Sequence, residues 1–162
     1  MKYLARTATG EPLLGDDEGY VPLGAVEPDV ESVRDALPRA AAGTLGDVAD
    51  ATADPVPAAD VTFGAPLESF GKLWGIGLNY EEHAGDLDEQ RPEEPASFMK
   101  PSSVLTGPGG PIRLPPTEQS ERVTAEAELA VVMGRTCRNV DEGDVDDVVA
   151  GYLPVIDMTA ED

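Results

Sequence analysis

Residues 124 to 134 read TAEAELAVVMG. The aliphatic run from Leu129 to Met133 predicts a strand that packs inward. Side chains alternate between the two faces of a strand, so Glu126 and Glu128 share one face. Two like charges side by side resist burial unless a cation sits between them. LPVIDMT, residues 153 to 159, poses the same problem, because it places Asp157 inside a second apolar strand. If the two strands meet, Glu126, Glu128 and Asp157 converge on a divalent cation. Three oxygen donors without His or Cys suit Mg²⁺, Mn²⁺ or Ca²⁺ better than Zn²⁺. A second reading stays open: a solvated acidic face, with Ala127, Leu129 and Val131 turned to the core.

Around these two strands the chain reads as short strands with few helices. KLWGIGLNY, ASFMKP and PIRLP are strand candidates ahead of the acidic pair. DEGDVDDVVAGY, between the two acid-bearing strands, reads as a helix. Further upstream, MKYLARTA and GYVPLGAV read as strands around the turn-rich GEPLLGDDEG. A helix is expected in DVESVRDALPRAAAG, with Asp29 as its cap, Val30, Val33 and Leu37 as its apolar stripe, and Pro38 ending or kinking it. Residues 46 to 66 have the Ala, Asp and Pro composition of a linker holding one short strand. The organisation expected is a small N-terminal α/β domain with its linker over residues 1–65, then a mostly β, α+β domain over 70–162.

The chain of 162 residues carries 11 Lys and Arg against 32 Asp and Glu, a formal charge of −21. Such a charge repels nucleic-acid backbones and anionic membranes, so neither is an expected partner. The acid is spread over both halves, and the only lysines are Lys2, Lys72 and Lys100. That balance is expected of a protein adapted to high salt, where self-repulsion is screened. A single cysteine, Cys137, rules out an internal disulfide, and MKYLARTATGEPLL lacks an apolar signal core, so a cytoplasmic location is expected.

GLNYEEHAGDLDE contains the single histidine, His83, with Asp86 three residues on. On a helical turn the two would be neighbours, and a carboxylate fixes an imidazole's tautomer and raises its basicity. Such a pair can move a proton or activate water. A surface histidine among acids is the plainer alternative.

LWGIGLNYEEHAGD, PASFMKPSSVLTGPGGPIRLP, AEAELAVVMGRTCRNV and VVAGYLPVIDMTAED, taken in this order, resemble the fumarylacetoacetate hydrolase family over roughly residues 70 to 162. The resemblance implies a mixed β-roll, usually dimeric, preceded by a variable small domain. It also implies that Glu126, Glu128 and Asp157 bind a metal, Mg²⁺ first among the candidates, and that His83 with Asp86 handles protons. Tyr80 and Lys100 would lie on the substrate side, with an ordinary salt-bridged lysine the alternative for Lys100. The reactions implied are hydrolysis, decarboxylation or isomerisation of a small 2-oxo acid, of the kind met in aromatic catabolism, through a metal-stabilised enolate.

Three departures qualify the transfer. Asp86 stands where many members carry Glu. TAED, residues 159 to 162, stands where many read T-A-R-D, so Glu161 replaces a cation. The sequence also stops just past the third acid, and a C-terminally incomplete roll is expected. The competing function is a catalytically incompetent metal-binding or interaction module, completed by a partner or a second copy.

Overall fold

The computed structural model describes residues 1–77 and 94–162. By its contacts the chain divides into two units, Met1–Pro66 with Gly107–Asp162, and Leu67–Thr106. Each is described by itself below. Among the described residues no helix is long and apolar enough to cross a membrane.

In the first unit an antiparallel meander of β1 (Tyr3–Arg6), β2 (Pro12–Gly15) and β3 (Tyr20–Pro22) opens the chain. GEPLLGDDEG is therefore a central strand and a turn, and not a turn alone. Leu13 and Leu14 are both buried, which draws the segment into the sheet, while Pro12 takes the strand's first position, where its missing N–H is tolerated. Leu14, Val21 and Leu23, with Val30, Ala36, Leu45 and Val48, form the buried core.

Helix α1 (Val33–Ala41) follows, capped by Ser32 and not by Asp29. The Ser32 hydroxyl oxygen accepts from the Asp35 N–H at 3.2 Å and donates to the Asp35 carboxylate at 2.6 Å. Asp29 is instead paired with Arg39, whose two terminal nitrogens reach it at 3.1 and 2.6 Å. Val33 and Ala36 supply the buried face; Val30 is buried ahead of the helix and Leu37 is half-buried. Pro38 does not end the helix, which runs on to Ala41. The ring removes one N–H, but the Pro38 carbonyl still accepts from the Ala42 N–H at 3.0 Å.

Residues 46 to 66 are not a free linker. They hold two short 3₁₀ turns, Val48–Asp50 and Ala58–Asp60, and bridge back to the meander at Tyr20↔Val56 and Thr7↔Phe63. The expected strand there is reduced to these single bridges. PIRLP forms no ladder either, in keeping with prolines that cannot donate to one.

The unit ends in a long antiparallel ribbon, β6 (Val123–Met133) and β7 (Val149–Ala160). The helix expected in DEGDVDDVVAGY shrinks to a 3₁₀ turn, Glu142–Asp147. Asp and Gly are poor helix formers, and the β-branched Val149 is taken up by the ladder opposite Met133. Where the ribbon begins to turn, Gly134 lies against α1: a Cβ there would come within 2.8 Å of the Leu37 carbonyl oxygen and 2.5 Å of the Ala41 Cβ. Glycine alone fits that approach without displacing the helix.

The second unit contains the antiparallel pair β4 (Leu73–Gly77) and β5 (Ala96–Lys100), with Leu73 opposite Lys100. The Phe98 ring lies over Gly75, its partner across the pair.

Candidate metal centre on the carboxylate ribbon

In the ladder between β6 and β7, Glu126 faces Asp157 directly, and Glu128 faces Val155 one step further along the same face. Directly opposed residues of an antiparallel pair project to the same side of the sheet. The three acids predicted from sequence are thus brought onto one face by the register alone. All three are half-buried, whereas the opposite face is exposed: Leu129 is 59% accessible and Ile156 is 65%. This overturns the reading in which the glutamates are solvated and Ala127, Leu129 and Val131 turn inward.

The polar character continues one rung outward, where Thr124 stands opposite Thr159. The Thr159 hydroxyl donates to Glu126 Oε2 at 3.3 Å. Thr124 Oγ1 is buried and has no hydrogen-bond partner among the described residues. Neither threonine was singled out in the sequence, yet the signal was present. Extended by the strand period of two, the acidic motifs become T-x-E-x-E on one strand and D-x-T on the other.

Past this rung the strand ends are clasped. Arg122 Nε meets Glu161 Oε2 at 2.7 Å, and the Glu161 N–H donates to the Arg122 carbonyl at 3.0 Å. Glu161, which departs from the family pattern, thus has a cation beside it from the residue just ahead of β6. The Ser120 hydroxyl donates to Asp162 Oδ1 at 2.5 Å and the Glu121 N–H to Oδ2 at 2.8 Å. These bonds, the Ser120 hydroxyl first, hold the Asp162 carboxyl below its ordinary pKa by favouring the charged form.

The donor set fits a hard divalent cation: carboxylate oxygens alone, shielded from full solvent, with an unpaired buried hydroxyl beside them. As the side chains stand, no three His, Cys, Asp or Glu among the described residues are gathered closely enough to hold an ion. Lys100 is half-buried at the end of β5 in the other unit, its ammonium 5.8 Å from the Phe98 ring centroid. Tyr80, His83 and Asp86 lie outside the described residues.

The chain is mostly sheet with few helices, and its longest strand pair carries three acids on one face. A family description, fumarylacetoacetate (FAA) hydrolase C-terminal, matches residues 72–162. The chain therefore belongs to the fumarylacetoacetate hydrolase family.

Among its relatives, the 2,4-didehydro-3-deoxy-L-rhamnonate hydrolase of Sphingomonas sp. is 40% identical over 111 residues, 68% of this chain and 38% of that protein. The crystal structure of maleylpyruvate hydrolase from Sphingobium sp. SYK-6, in complex with manganese(II) ion and pyruvate, superposes with a TM-score of 0.71. It is 27% identical, and the match covers 99% of this chain and 60% of that one. The 5-carboxymethyl-2-hydroxymuconate delta-isomerase of Mycobacterium smegmatis gives a TM-score of 0.63 at 28% identity, over 99% of this chain and 55% of that one. The chain spans about half the length of the relatives it matches. Hydrolases and isomerases are thus among its homologues, and a divalent metal is bound by at least one of them.

Proposed function

We propose that this chain is part of an enzyme that hydrolyses, decarboxylates or isomerises a small 2-oxo acid through a metal-stabilised enolate. The observation that carries the reading is the Glu126–Asp157 rung with Glu128 on the same face, within the segment that defines the family. Glu126, Glu128 and Asp157 would hold the ion, Mg²⁺ first, with Mn²⁺ and Ca²⁺ as the alternatives that an all-oxygen donor set also suits. When bound, such an ion supplies Lewis-acid stabilisation of a developing enolate. His83, oriented by Asp86, would move the proton or activate water, and Tyr80 and Lys100 would orient the substrate carboxylate. These four assignments rest on the family motif in the sequence.

Residues 1–65 are proposed as a small N-terminal domain with its linker and 70–162 as part of the catalytic domain. Homodimers, a cytoplasmic site of action and adaptation to high salt complete the reading; the last draws on the charge of −21 and predicts that compactness falls as salt is removed.

The test is turnover of acylpyruvates and of oxaloacetate-type oxo acids by the metal-stripped chain, before and after addition of Mn²⁺ at high salt. Metal-dependent disappearance of one class supports the reading; none in a folded, Mn²⁺-loaded chain counts against catalysis by these residues by themselves. That second outcome would favour a metal-binding module without catalysis, the reading supported by Glu161, whose carboxylate occupies the place of a cation and is engaged by Arg122.

A further inference from the structure

We propose that Thr159 is a positioning residue of the metal site, whose hydroxyl sets the orientation of the Glu126 carboxylate from the opposite strand. The inference rests on the reading of Glu126 as a metal ligand.

Thr159 lies two residues beyond Asp157 on β7, so it shares the face of the acids and stands diagonal to Glu126. Its β-branched side chain is stiff about the first torsion, so the backbone largely fixes where the hydroxyl points. A hydroxyl has one proton to donate, and here it goes to Glu126 Oε2 at 3.3 Å. Glu126 carries several free torsions of its own. A bond to one oxygen narrows these and so restricts how the carboxylate can be turned toward a cation. This is how partners behind a metal ligand raise affinity without touching the ion.

The rung itself argues that the hydroxyls matter. Valine has the same shape as threonine and a high strand propensity, so it would serve the ladder equally well. Two facing threonines instead bring two hydroxyls under the acids. One is engaged by Glu126, and Thr124 Oγ1 is buried without a partner among the described residues. An unpaired buried donor is unfavourable. Standing beside the carboxylates, the Thr124 hydroxyl gives this end of the face the character of a polar floor for the proposed site.

The test is Mn²⁺ titration of the full chain at high salt, followed by calorimetry and by the Mn²⁺ electron paramagnetic resonance signal. Wild type would be compared with Thr159→Val, Thr159→Ser and Glu126→Gln, with Tm of each recorded without metal. Thr159→Val is expected to weaken binding about tenfold, the lower end of what outer partners contribute, with an altered spectrum. Thr159→Ser should restore both, and the metal-free Tm should not track affinity.

Unchanged affinity in Thr159→Val, while Glu126→Gln abolishes binding, overturns the positioning role alone. Loss of binding in Thr159→Val and Thr159→Ser alike, in step with Tm, also overturns it, because the residue would then serve only the fold. Normal binding by Glu126→Gln, or none by the wild type, overturns the ligand reading and the positioning role with it.

Discussion

Glu126 and Asp157 stand directly opposite each other across β6 and β7, two half-buried carboxylates on one rung of an antiparallel ladder. Neither strand carries a Lys, Arg or His, so no cation of the ladder itself lies between them; if they are the proposed metal ligands, the ion would offset their mutual repulsion.

Replacing either acid by alanine is therefore expected to cost more metal affinity than the ~10–100-fold typical of an outer partner. Calorimetric titration with Mn²⁺ checks this for Glu126→Ala and Asp157→Ala. Equal binding by both variants and the wild type would remove the rung from the metal site.

His83→Ala separates binding from chemistry. If the imidazole handles the proton, kcat on the turned-over oxo acid should fall by roughly 10²–10⁴, with Mn²⁺ affinity unchanged. Retained turnover would take His83 out of the mechanism.

Asp162 gives a pH dependence whose sign follows from its depressed pKa. A carboxyl that ionises more readily folded than unfolded adds stability above its unfolded pKa. That contribution is lost as pH falls through the folded value. Carbon-detected titration of Asp162 should show a midpoint below the ordinary carboxylate value, moving back up in Ser120→Ala. A midpoint insensitive to Ser120 would show that the strand-end clasp does not hold in solution.

Gly134→Val tests the approach of the ribbon to α1. With the Leu37 carbonyl oxygen 2.8 Å from the position a Cβ would take, the helix or the strand must shift. Overpacking of this kind typically costs about 1–3 kcal/mol, measurable by urea unfolding at fixed salt. An unchanged midpoint would mean that α1 and the ribbon separate freely.

Leu14→Ala probes the buried core of the same unit. Leu14 is 0% exposed at the centre of the core, and a buried leucine truncated to alanine costs about 2–5 kcal/mol. A loss under ~1 kcal/mol in the same urea experiment would show that the meander is not a cooperative part of the fold.

What the sequence determined by itself was chemistry and period. Glu126, Glu128 and Asp157 were legible as acids in the wrong place, because alternation along a strand is a local property and a carboxylate among Val, Ile and Leu is conspicuous whatever the fold. The ordered motifs from Leu73 to Asp162 carried the family for the same reason. Tertiary structure decided partnership and direction. Which face of TAEAELAVVMG is sheltered depends on its neighbours, and the structure shelters the acids while exposing Leu129 and Val131. The pairing of Glu126 with Asp157 and of Thr124 with Thr159 follows from a register that no local pattern specifies. Likewise Ser32, and not Asp29, caps α1, while Asp29 pairs with Arg39 from the helix's last turn. Val149 left its expected helix because Met133 offered it a ladder. Long-range contacts such as these outweigh local propensities of a few tenths of a kcal/mol per residue.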